Sequence, residues 1–267
     1  MRRLSVLLLA GAVGLLLIGA VAARSLGEGA EELLPDLDQA AVGKLELREA
    51  RRGGERRWLL GFGSAVDNVG VGTLLVTGRR PSTATPTMTV EQTVVRSDGS
   101  RRTFQIPGAI RYVRSATHQH WHYLAVERYE IRSLGARVPV RRDHKTGFCL
   151  GDRYRARTGL PNQPTIGTLN GECGRNQPGL LEVDEGISVG FGDDYDPSLE
   201  GQSIDVTGLP AGRYLLVHRV NTDRSIRESS YANNASSLRF RLSWPRGTSA
   251  RPGITVERRC SAAADCD

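Results

Sequence analysis

Short runs in which apolar residues alternate with polar ones recur along the chain between turn signals. In residues 237–244 every second residue is apolar, and two arginines and a serine lie between them, which is the two-residue period of a half-buried strand. Residues 97–100 read Ser-Asp-Gly-Ser, and an Asp-Gly pair supplies the positive-φ positions of a tight hairpin turn. Further strand candidates lie at residues 58–62, 73–76, 89–96, 102–106 and 214–220. The pattern predicts a mainly β chain, a single antiparallel β-sandwich domain with long loops between residues 132 and 205.

The first residues predict an export signal. Two arginines follow Met1, and residues 4–23 are almost entirely apolar and end in small residues, the order typical of a secretory signal peptide. The run is also long enough to span a bilayer, so an uncleaved signal anchor stays open. We therefore expect a signal peptide or signal anchor at residues 1–23, an acidic connector at 24–45 and one β domain at 46–267. Either form of the N-terminus predicts a secreted or cell-surface protein.

Composition excludes wholesale disorder and draws attention to the lysines. Of 267 residues, 39% are hydrophobic and 24% are charged, the range of globular domains. Lysine and arginine total 36, but only Lys44 and Lys145 are lysines, so each is a candidate for chemistry that needs a primary amine. The formal net charge is +7, yet the arginines are scattered and no nucleic-acid-binding motif occurs. We expect no nucleic-acid partner, and contact with a membrane only through the N-terminal segment.

Four cysteines in an exported chain predict two disulfides. Three connectivities are open, and we favour the pairs Cys149–Cys173 and Cys260–Cys266. The sequence contains no Cys-x-x-Cys pair, so we do not expect a zinc site built from thiolates.

Three of the five histidines occupy one short run, at His118, His120 and His122. On a strand this spacing places all three imidazoles on one face and Trp121 and Tyr123 on the other. Three imidazoles on one face predict a metal site. Nitrogen ligands without thiolate suit Cu(II), Zn(II), Ni(II) or Fe(II), with copper first in imidazole affinity. A fully extended strand separates the outer Cα atoms by roughly 13 Å, so we expect a bulge or turn that lets the ligands converge.

Four segments in a fixed order carry a resemblance to a known family. Residues 117–131 (THQHWHYLAVERYEI) resemble the copper-binding segment of the lysyl oxidase family, and residues 143–152 (DHKTGFCLGD) resemble its cofactor-lysine segment. Residues 192–214 (GDDYDPSLEGQSIDVTGLPAGRY) resemble the segment of the partner tyrosine, and residues 228–234 (ESSYANN) resemble an element near the family's C-terminus. The similarity extends over about residues 33–244, and the chain is identified as a bacterial-type secreted member of this family.

The resemblance implies a copper-dependent amine oxidase. In such enzymes copper oxidises a tyrosine ring to a quinone, and a lysine amine adds to the ring. The resulting lysine tyrosylquinone converts primary amines to aldehydes with release of hydrogen peroxide and ammonia. The matching residues here are Lys145 and Tyr195, and the resemblance implies that they are the cofactor precursors and catalytic residues. Only a primary amine forms this link, so arginine cannot replace the lysine. The implied substrates are primary amines, among them lysine side chains of extracellular proteins.

The resemblance also implies a calcium site with one ligand changed. Its ligands are Asp36, the carbonyl of Leu37, Glu228, Asn233 and Asn234. Hard oxygen ligands from distant parts of a chain are what Ca²⁺ accepts. Ser230 stands where the family pattern has a second acidic residue, so we expect weaker calcium binding.

A second departure from the family pattern leaves the general base open. The family has a histidine that has been suggested as catalytic base, and this sequence has Tyr129 at the matching position. Other acid–base groups beside the cofactor residues are His144, Asp193 and Asp194. The sequence does not choose among them.

Two other interpretations of the same residues stay open. A cupin-like β-barrel oxygenase or isomerase would use His120, His122 and Glu127 as metal ligands, with His218 after a Pro-x-Gly turn. It assigns no role to the lysine and tyrosine named above. The other interpretation is a non-enzymatic, secreted, lysyl-oxidase-like sandwich that binds copper or a wall component and never builds the quinone.

Overall fold

The computed structural model describes residues 29–115, 119–124, 126–145 and 147–266. These residues form β-strands and no helix, so the described part of the chain offers no helix that could cross a membrane. The strands are β1 (Glu32–Leu33), β2 (Leu37–Gln39), β3 (Leu45–Arg52), β4 (Glu55–Phe62), β5 (Ser64–Asn68), β6 (Leu74–Arg79), β7 (Thr87–Arg96), β8 (Arg101–Arg114), β9 (Gln119–Tyr123), β10 (Glu127–Ser133), β11 (Pro139–Arg142), β12 (Tyr154–Arg155), β13 (Glu182–Ile187), β14 (Phe191–Tyr195), β15 (Ser203–Asp205), β16 (Gly212–Val220), β17 (Ala235–Ser243) and β18 (Gly253–Cys260).

The described strands pair antiparallel in four sheets. The largest has the order β13-β6-β7-β8-β9, with β1 also paired to β7, and the second has the order β11-β10-β16-β17-β18. The third has the order β12-β14-β5-β2 and the fourth β15-β4-β3. The mainly β, antiparallel fold predicted from the alternation of apolar and polar residues is confirmed.

The predicted hairpin connects β7 to β8. The amide of Gly99 donates to the carbonyl of Arg96 at 2.9 Å, and the amide of Arg96 donates to the carbonyl of Ser100 at 2.8 Å. Gly99 has φ of 82°, the left-handed conformation that glycine adopts without a steric penalty. Asp98 Oδ1 accepts hydrogen bonds from the amide and hydroxyl of Ser100. The turn residues therefore fix the register of this hairpin.

The alternating pattern of β17 separates core from surface. Its apolar residues Leu238, Phe240 and Leu242 are at most 1% exposed and belong to the main hydrophobic core. The arginines at 239 and 241 lie between them and form ion pairs with Glu257 of β18 at 3.4 and 3.2 Å. One face of β17 is therefore packed on the core, and its other face carries charge.

Both favoured disulfides are present. Cys149–Cys173 joins residues 24 positions apart, and Cys260–Cys266 joins residues 6 apart. The first bridge ties the loop after β11 to the segment before β13. The second ties the end of β18 to the C-terminal segment, where Cys266 packs against Leu215 and Val217 of β16.

The segment expected to be a connector, residues 24–45, contributes strands from Glu32 onward. β1 pairs with the end of β7, and β2 pairs with β5, with Leu37 opposite Asn68. Leu37 and Val42 are almost completely buried, so burial holds this stretch in the β domain. Strands of two and three residues are too short to show a period, which is why alternation did not reveal them. Residues 1–23, where the export signal is predicted, lie outside the described residues.

Candidate metal and cofactor site

A cavity of about 540 Å³ is lined by side chains from several parts of the chain. The predicted site residues on its wall are His120, His122, Lys145 and Tyr195. The wall also carries the cavity arginines, Arg52, Arg153 and Arg175, and the carboxyl groups of Asp194 and Glu200. Residues from β9, from the loop after β11 and from β14 therefore surround one space.

His120 and His122 share one face of β9. Their ring centroids are 4.7 Å apart, and both side chains are buried. β8 holds the strand in register, with Val113 opposite His120 and Arg111 opposite His122. His118, the third predicted ligand, lies outside the described residues. The convergence of three imidazoles therefore stays a prediction.

The opposite face of β9 anchors the strand in the core. Trp121 and Tyr123 are at most 1% exposed. The indole Nε1 of Trp121 donates to the carbonyl of Gln177 at 3.1 Å, and the hydroxyl of Tyr123 donates to the carbonyl of Pro107 at 3.2 Å. Because both aromatic residues are packed and hydrogen-bonded, the histidine face is held toward the cavity.

The loop that carries Lys145 is attached to the same strand. Phe148 forms an antiparallel bridge with Tyr123, with backbone hydrogen bonds of 2.8 and 3.0 Å. Gly147 permits this close approach, because its φ is 108° and a Cβ there would lie 2.6 Å from the carbonyl oxygen of Tyr123. The histidine strand and the lysine loop are therefore held side by side by backbone contacts.

The amine of Lys145 lies over the ring of Tyr195. Its Nζ is 3.8 Å from the Tyr195 ring centroid and 4.1 Å from that of Phe148. The amine also donates a 2.7 Å hydrogen bond to Oε1 of Gln202. Burial lowers the pKa of Lys145 to about 7, while nearby carboxyl groups, first among them Glu127, act in the opposite direction. A large share of the amine is therefore neutral at neutral pH, the form that can act as a nucleophile.

Tyr195, the last residue of β14, directs its hydroxyl at Asp193. The hydroxyl donates to Asp193 Oδ2 at 2.5 Å and lies 3.2 Å from the carbonyl oxygen of Cys149. Burial raises the pKa of Asp193 to about 7, against the hydrogen bond from Tyr195 and the ion pair with Arg153 at 3.3 Å. Burial and the charge of Asp193 raise the pKa of Tyr195 well above its ordinary value.

These contacts distinguish Asp193 from the other candidate acid–base groups. Asp193 is fully buried and touches the Tyr195 hydroxyl. His144 and Asp194 are exposed and line the cavity. Of the three, Asp193 is the group that the structure places in direct contact with a predicted cofactor residue.

A buried polar cluster that the sequence did not reveal surrounds Glu127. We call Gln39, Ser64, Glu127 and Tyr129 the Glu127 cluster. Glu127 Oε2 accepts hydrogen bonds from the hydroxyl of Tyr129 at 2.6 Å and from Ser64 Oγ at 3.1 Å. Gln39 Nε2 donates to Ser64 Oγ at 3.2 Å. Residue types alone could not predict this cluster, because β2, β5 and β10 are brought together only by the fold.

The cupin-like ligand set is not assembled. Glu127 belongs to the Glu127 cluster, and neither it nor His218 is part of the described cavity wall. His218 is completely buried, with its ring centroid 4.9 Å from that of Phe62 and 4.6 Å from that of Tyr129. β16 places His218 opposite Tyr129 of β10, so it is directed into the core rather than toward His120 and His122.

Glu228 forms hydrogen bonds with both segments in which the calcium ligands were predicted. Its Oε2 accepts a 2.6 Å hydrogen bond from the amide of Leu37. Its Oε1 accepts hydrogen bonds from Asn221 Nδ2 at 2.5 Å and from Asn234 Nδ2 at 2.8 Å. Burial raises the pKa of Glu228 to about 7, although these donors act in the opposite direction. Sequence reasoning missed Asn221, which lies outside the ESSYANN segment.

Asp36 and Asn233, two further predicted calcium ligands, are in contact with each other. Asn233 Nδ2 donates to Asp36 Oδ1 at 2.8 Å. The side-chain oxygens of Asn233 and Asn234 are buried and have no hydrogen-bond partner among the described residues. Buried oxygens without a donor are suitable ligands for a hard cation, so the donor set fits calcium.

Two comparisons with known proteins agree on one family. The family model described as lysyl oxidase matches residues 93–245. Lysyl oxidase homolog 2 of Homo sapiens is 29% identical over 125 residues, which cover 46% of this chain and 14% of the relative. Lysyl oxidase homolog 2 of Gallus gallus is 30% identical over 129 residues, with the same coverage of each chain. The match thus spans 14% of the length of these relatives.

The matched region is also the region of the cavity. Residues 93–245 make up more than half of the chain and include His120, His122, Lys145 and Tyr195. A match of this extent shows the family, and the chain belongs to the lysyl oxidase family.

Proposed function

We propose that this protein is a secreted or cell-surface copper amine oxidase that converts primary amines, among them lysine side chains of extracellular proteins, to aldehydes. The observation that carries the proposal is the position of the Lys145 amine, 3.8 Å from the ring centroid of Tyr195. This pair lines the same cavity as His120 and His122. A lysine and a tyrosine so placed are suitable precursors of lysine tyrosylquinone.

Copper would be held by His118, His120 and His122. The two described imidazoles face the cavity on one side of β9, and nitrogen ligands without thiolate suit Cu(II). His118 is included on its spacing in the sequence. When bound, the copper and the quinone supply the redox chemistry by which a primary amine, oxygen and water give an aldehyde, ammonia and hydrogen peroxide.

The chain's own residues prepare this chemistry. Asp193 accepts the hydrogen bond of the Tyr195 hydroxyl and, as a carboxylate, can accept its proton at Oδ2. Gln202 holds the Lys145 amine by a 2.7 Å hydrogen bond, and burial favours the neutral amine. The ring of Phe148 meets that of Tyr195 edge-on with centroids 5.0 Å apart and excludes water from that side of the pair.

Calcium would be held by Asp36, the carbonyl of Leu37, Glu228, Asn233 and Asn234. The two amide oxygens without a described partner support this assignment. A cation there would join the segment around β2 to the segment between β16 and β17. Its role would be structural, because it would neutralise a carboxylate that is otherwise buried.

Peptide mapping of the exported, copper-loaded protein tests the cofactor. The wild type should give a covalent link between the Lys145 and Tyr195 peptides, a visible quinone band, and peroxide with a primary amine. Lys145→Arg keeps the charge but has no primary amine, and Tyr195→Phe lacks the phenol oxygen. Each variant should fold, bind copper and give neither link nor peroxide. Lys44→Arg changes the other lysine and should behave as the wild type.

Two outcomes would count against the proposal. Peroxide at the wild-type rate from Lys145→Arg would remove the cofactor assignment. Bound copper without link, band or peroxide in the wild type would favour the non-enzymatic, copper-binding alternative.

A further inference from the structure

The Glu127 cluster is connected to the Lys145 amine. Phe148 makes the connection, because Lys145 Nζ lies 4.1 Å from its ring centroid and the ring of Tyr129 meets it edge-on with centroids 6.0 Å apart. Tyr129 in turn donates to Glu127 at 2.6 Å. A buried carboxyl group therefore lies behind the Phe148 ring on which the amine rests.

Glu127 and Glu185 are the glutamates among the described residues that have a buried side-chain oxygen without a hydrogen-bond partner, and only Glu127 is hydrogen-bonded to Tyr129. Its side chain is buried, and Oε2 accepts from two hydroxyl groups. Its Oε1 is buried and has no hydrogen-bond partner among the described residues. A buried carboxylate with an unpartnered oxygen is costly unless a cation compensates its charge. Lys145 is the cation whose charge acts on Glu127.

We infer that Glu127 is a positioning residue for the Lys145 amine. From behind the rings of Tyr129 and Phe148, its negative charge attracts the amine that lies over the Tyr195 ring and stabilises the protonated form of the amine. The inference rests on the proposed function. Control of the protonation state of Lys145 is important for cofactor formation, in which the neutral amine must add to the oxidised ring of Tyr195.

The charges around the amine support this role. Burial raises the pKa of Glu127 and lowers the pKa of Lys145 to about 7. Asp193 on β14 and Asp143 on the lysine's own loop also favour the protonated amine, and Arg153 opposes Asp193 through their ion pair. The other titratable or charged groups on the cavity wall are His120, His122, His144, Asp194, Tyr195, Glu200 and the cavity arginines.

Removal of the Glu127 charge has an effect of known sign. Glu127→Gln keeps the size of the side chain and one acceptor oxygen but removes the charge that favours protonated Lys145. Deprotonation of the amine should then occur at lower pH. A purely structural loss would instead open the site to water and move the lysine toward its ordinary pKa of about 10.4. The two explanations predict shifts in opposite directions.

Competitive labelling of the metal-free protein with a trace of acetic anhydride measures this shift. Lys44 and Lys145 are the only lysines, and exposed Lys44 reports the reagent dose in each digest. Glu127→Gln should move the midpoint of Lys145 labelling down by about one pH unit, a tenfold change in the ionisation constant. Glu127→Asp keeps the charge and should restore most of the midpoint.

Two further variants keep the test decisive. Glu185→Gln neutralises another buried carboxyl, which accepts a hydrogen bond from the amide of Leu150, and it should leave the Lys145 midpoint unchanged. Tyr129→Phe removes a donor that stabilises the Glu127 carboxylate. It should shift the midpoint downward by a smaller amount, which provides a second measurement if Glu127→Gln does not fold.

An unchanged or upward midpoint in folded Glu127→Gln, or in folded Tyr129→Phe, would overturn the inference. The labelling needs neither copper nor quinone. A wild type that binds copper without forming the quinone would therefore count against the proposed function and leave the labelling result standing.

Discussion

The hydroxyl of Tyr195 donates a 2.5 Å hydrogen bond to the carboxyl group of Asp193, two residues earlier on β14. Alternate residues of a strand lie on the same face, so the strand itself holds the acid beside the ring. Burial raises the pKa of Asp193 to about 7. This carboxyl group therefore changes its protonation state near neutral pH, where it can take up the phenol proton.

Asp193→Asn should slow the formation of the Lys145–Tyr195 link by about a hundredfold or more, because an amide accepts a hydrogen bond but not a proton. In the wild type, the rate should rise with pH through about 7 as Asp193 and Lys145 both lose protons. The variant should keep only the rise due to the lysine. The measurement is the growth of the quinone band after copper addition across this pH range.

The neighbouring carboxylate supplies the control for this experiment. Asp194 lies on the cavity wall and is exposed, and strand alternation directs it away from the face shared by Asp193 and Tyr195. Asp194→Asn should change the rate less than about threefold. An equal loss of rate in both variants would indicate that the net charge of the cavity, not Asp193 itself, causes the effect.

The two disulfides should differ in their contribution to stability. In the loop-entropy account, replacing Cys149 and Cys173 by Ala should lower the free energy of unfolding by about 3.5 kcal/mol, and replacing Cys260 and Cys266 by about 2 kcal/mol. The difference follows from sequence separations of 24 and 6. Urea unfolding of each double variant measures it. Equal losses, or a larger loss at the second bridge, would contradict the loop-length argument.

The strands and turns could be predicted from the sequence because their signals are local. The alternation of apolar and polar residues over 237–244 reflects which face of β17 is buried. The sequence itself therefore shows the buried face. The Asp-Gly pair marks its hairpin in the same way. The stretch around β2 has no such period, so only the structure reveals that Leu37 is buried.

The Glu127 cluster depends on the order of strands in the sheets. Ser64 on β5 and Glu127 on β10 are 63 residues apart and belong to different sheets. A lone buried glutamate has no period or motif that would indicate its partners. The sequence could indicate residue types for the cofactor, but it could not show that Tyr129 and Phe148 lie between Lys145 and this carboxyl group.

His218 should make the protein sensitive to acid. Burial between Phe62 and Tyr129 lowers the pKa of His218 to about 3, whereas an unfolded histidine ionises near 6.5. The unfolded chain therefore binds more protons in this interval, so stability is present above about pH 6.5 and is lost as the pH falls toward about 3. His218→Phe should reduce the loss of unfolding free energy between about pH 7 and pH 4.5.

Urea unfolding at the two pH values measures this effect. His144→Gln is the matched control. His144 is exposed, so this substitution should leave the acid sensitivity unchanged. The assignment would be wrong if His218→Phe lost as much stability in acid as the wild type.

Calcium should stabilise the protein most at alkaline pH. Burial raises the pKa of Glu228 to about 7, above the ordinary value of about 4.3. Without a cation, the stability linked to this group is fully present below about pH 4.3 and is lost as the pH rises through about 7, because the folded state binds the extra proton. Calcium neutralises the carboxylate. It should therefore raise the Tm at about pH 8 and change it little at about pH 5.

Thermal unfolding with calcium and with a chelator, at both pH values, checks this interpretation. Subtracting the chelator series removes the contributions of the other titrating groups. Glu228→Gln should lose the calcium response, because a neutral amide replaces the charged ligand. Ser230→Asp adds a carboxylate to the same segment, two residues from Glu228, and should lower the calcium Kd by about tenfold. A calcium response that is equal at both pH values, or that persists in Glu228→Gln, would place the cation away from Glu228, whose ionisation links binding to this pH interval.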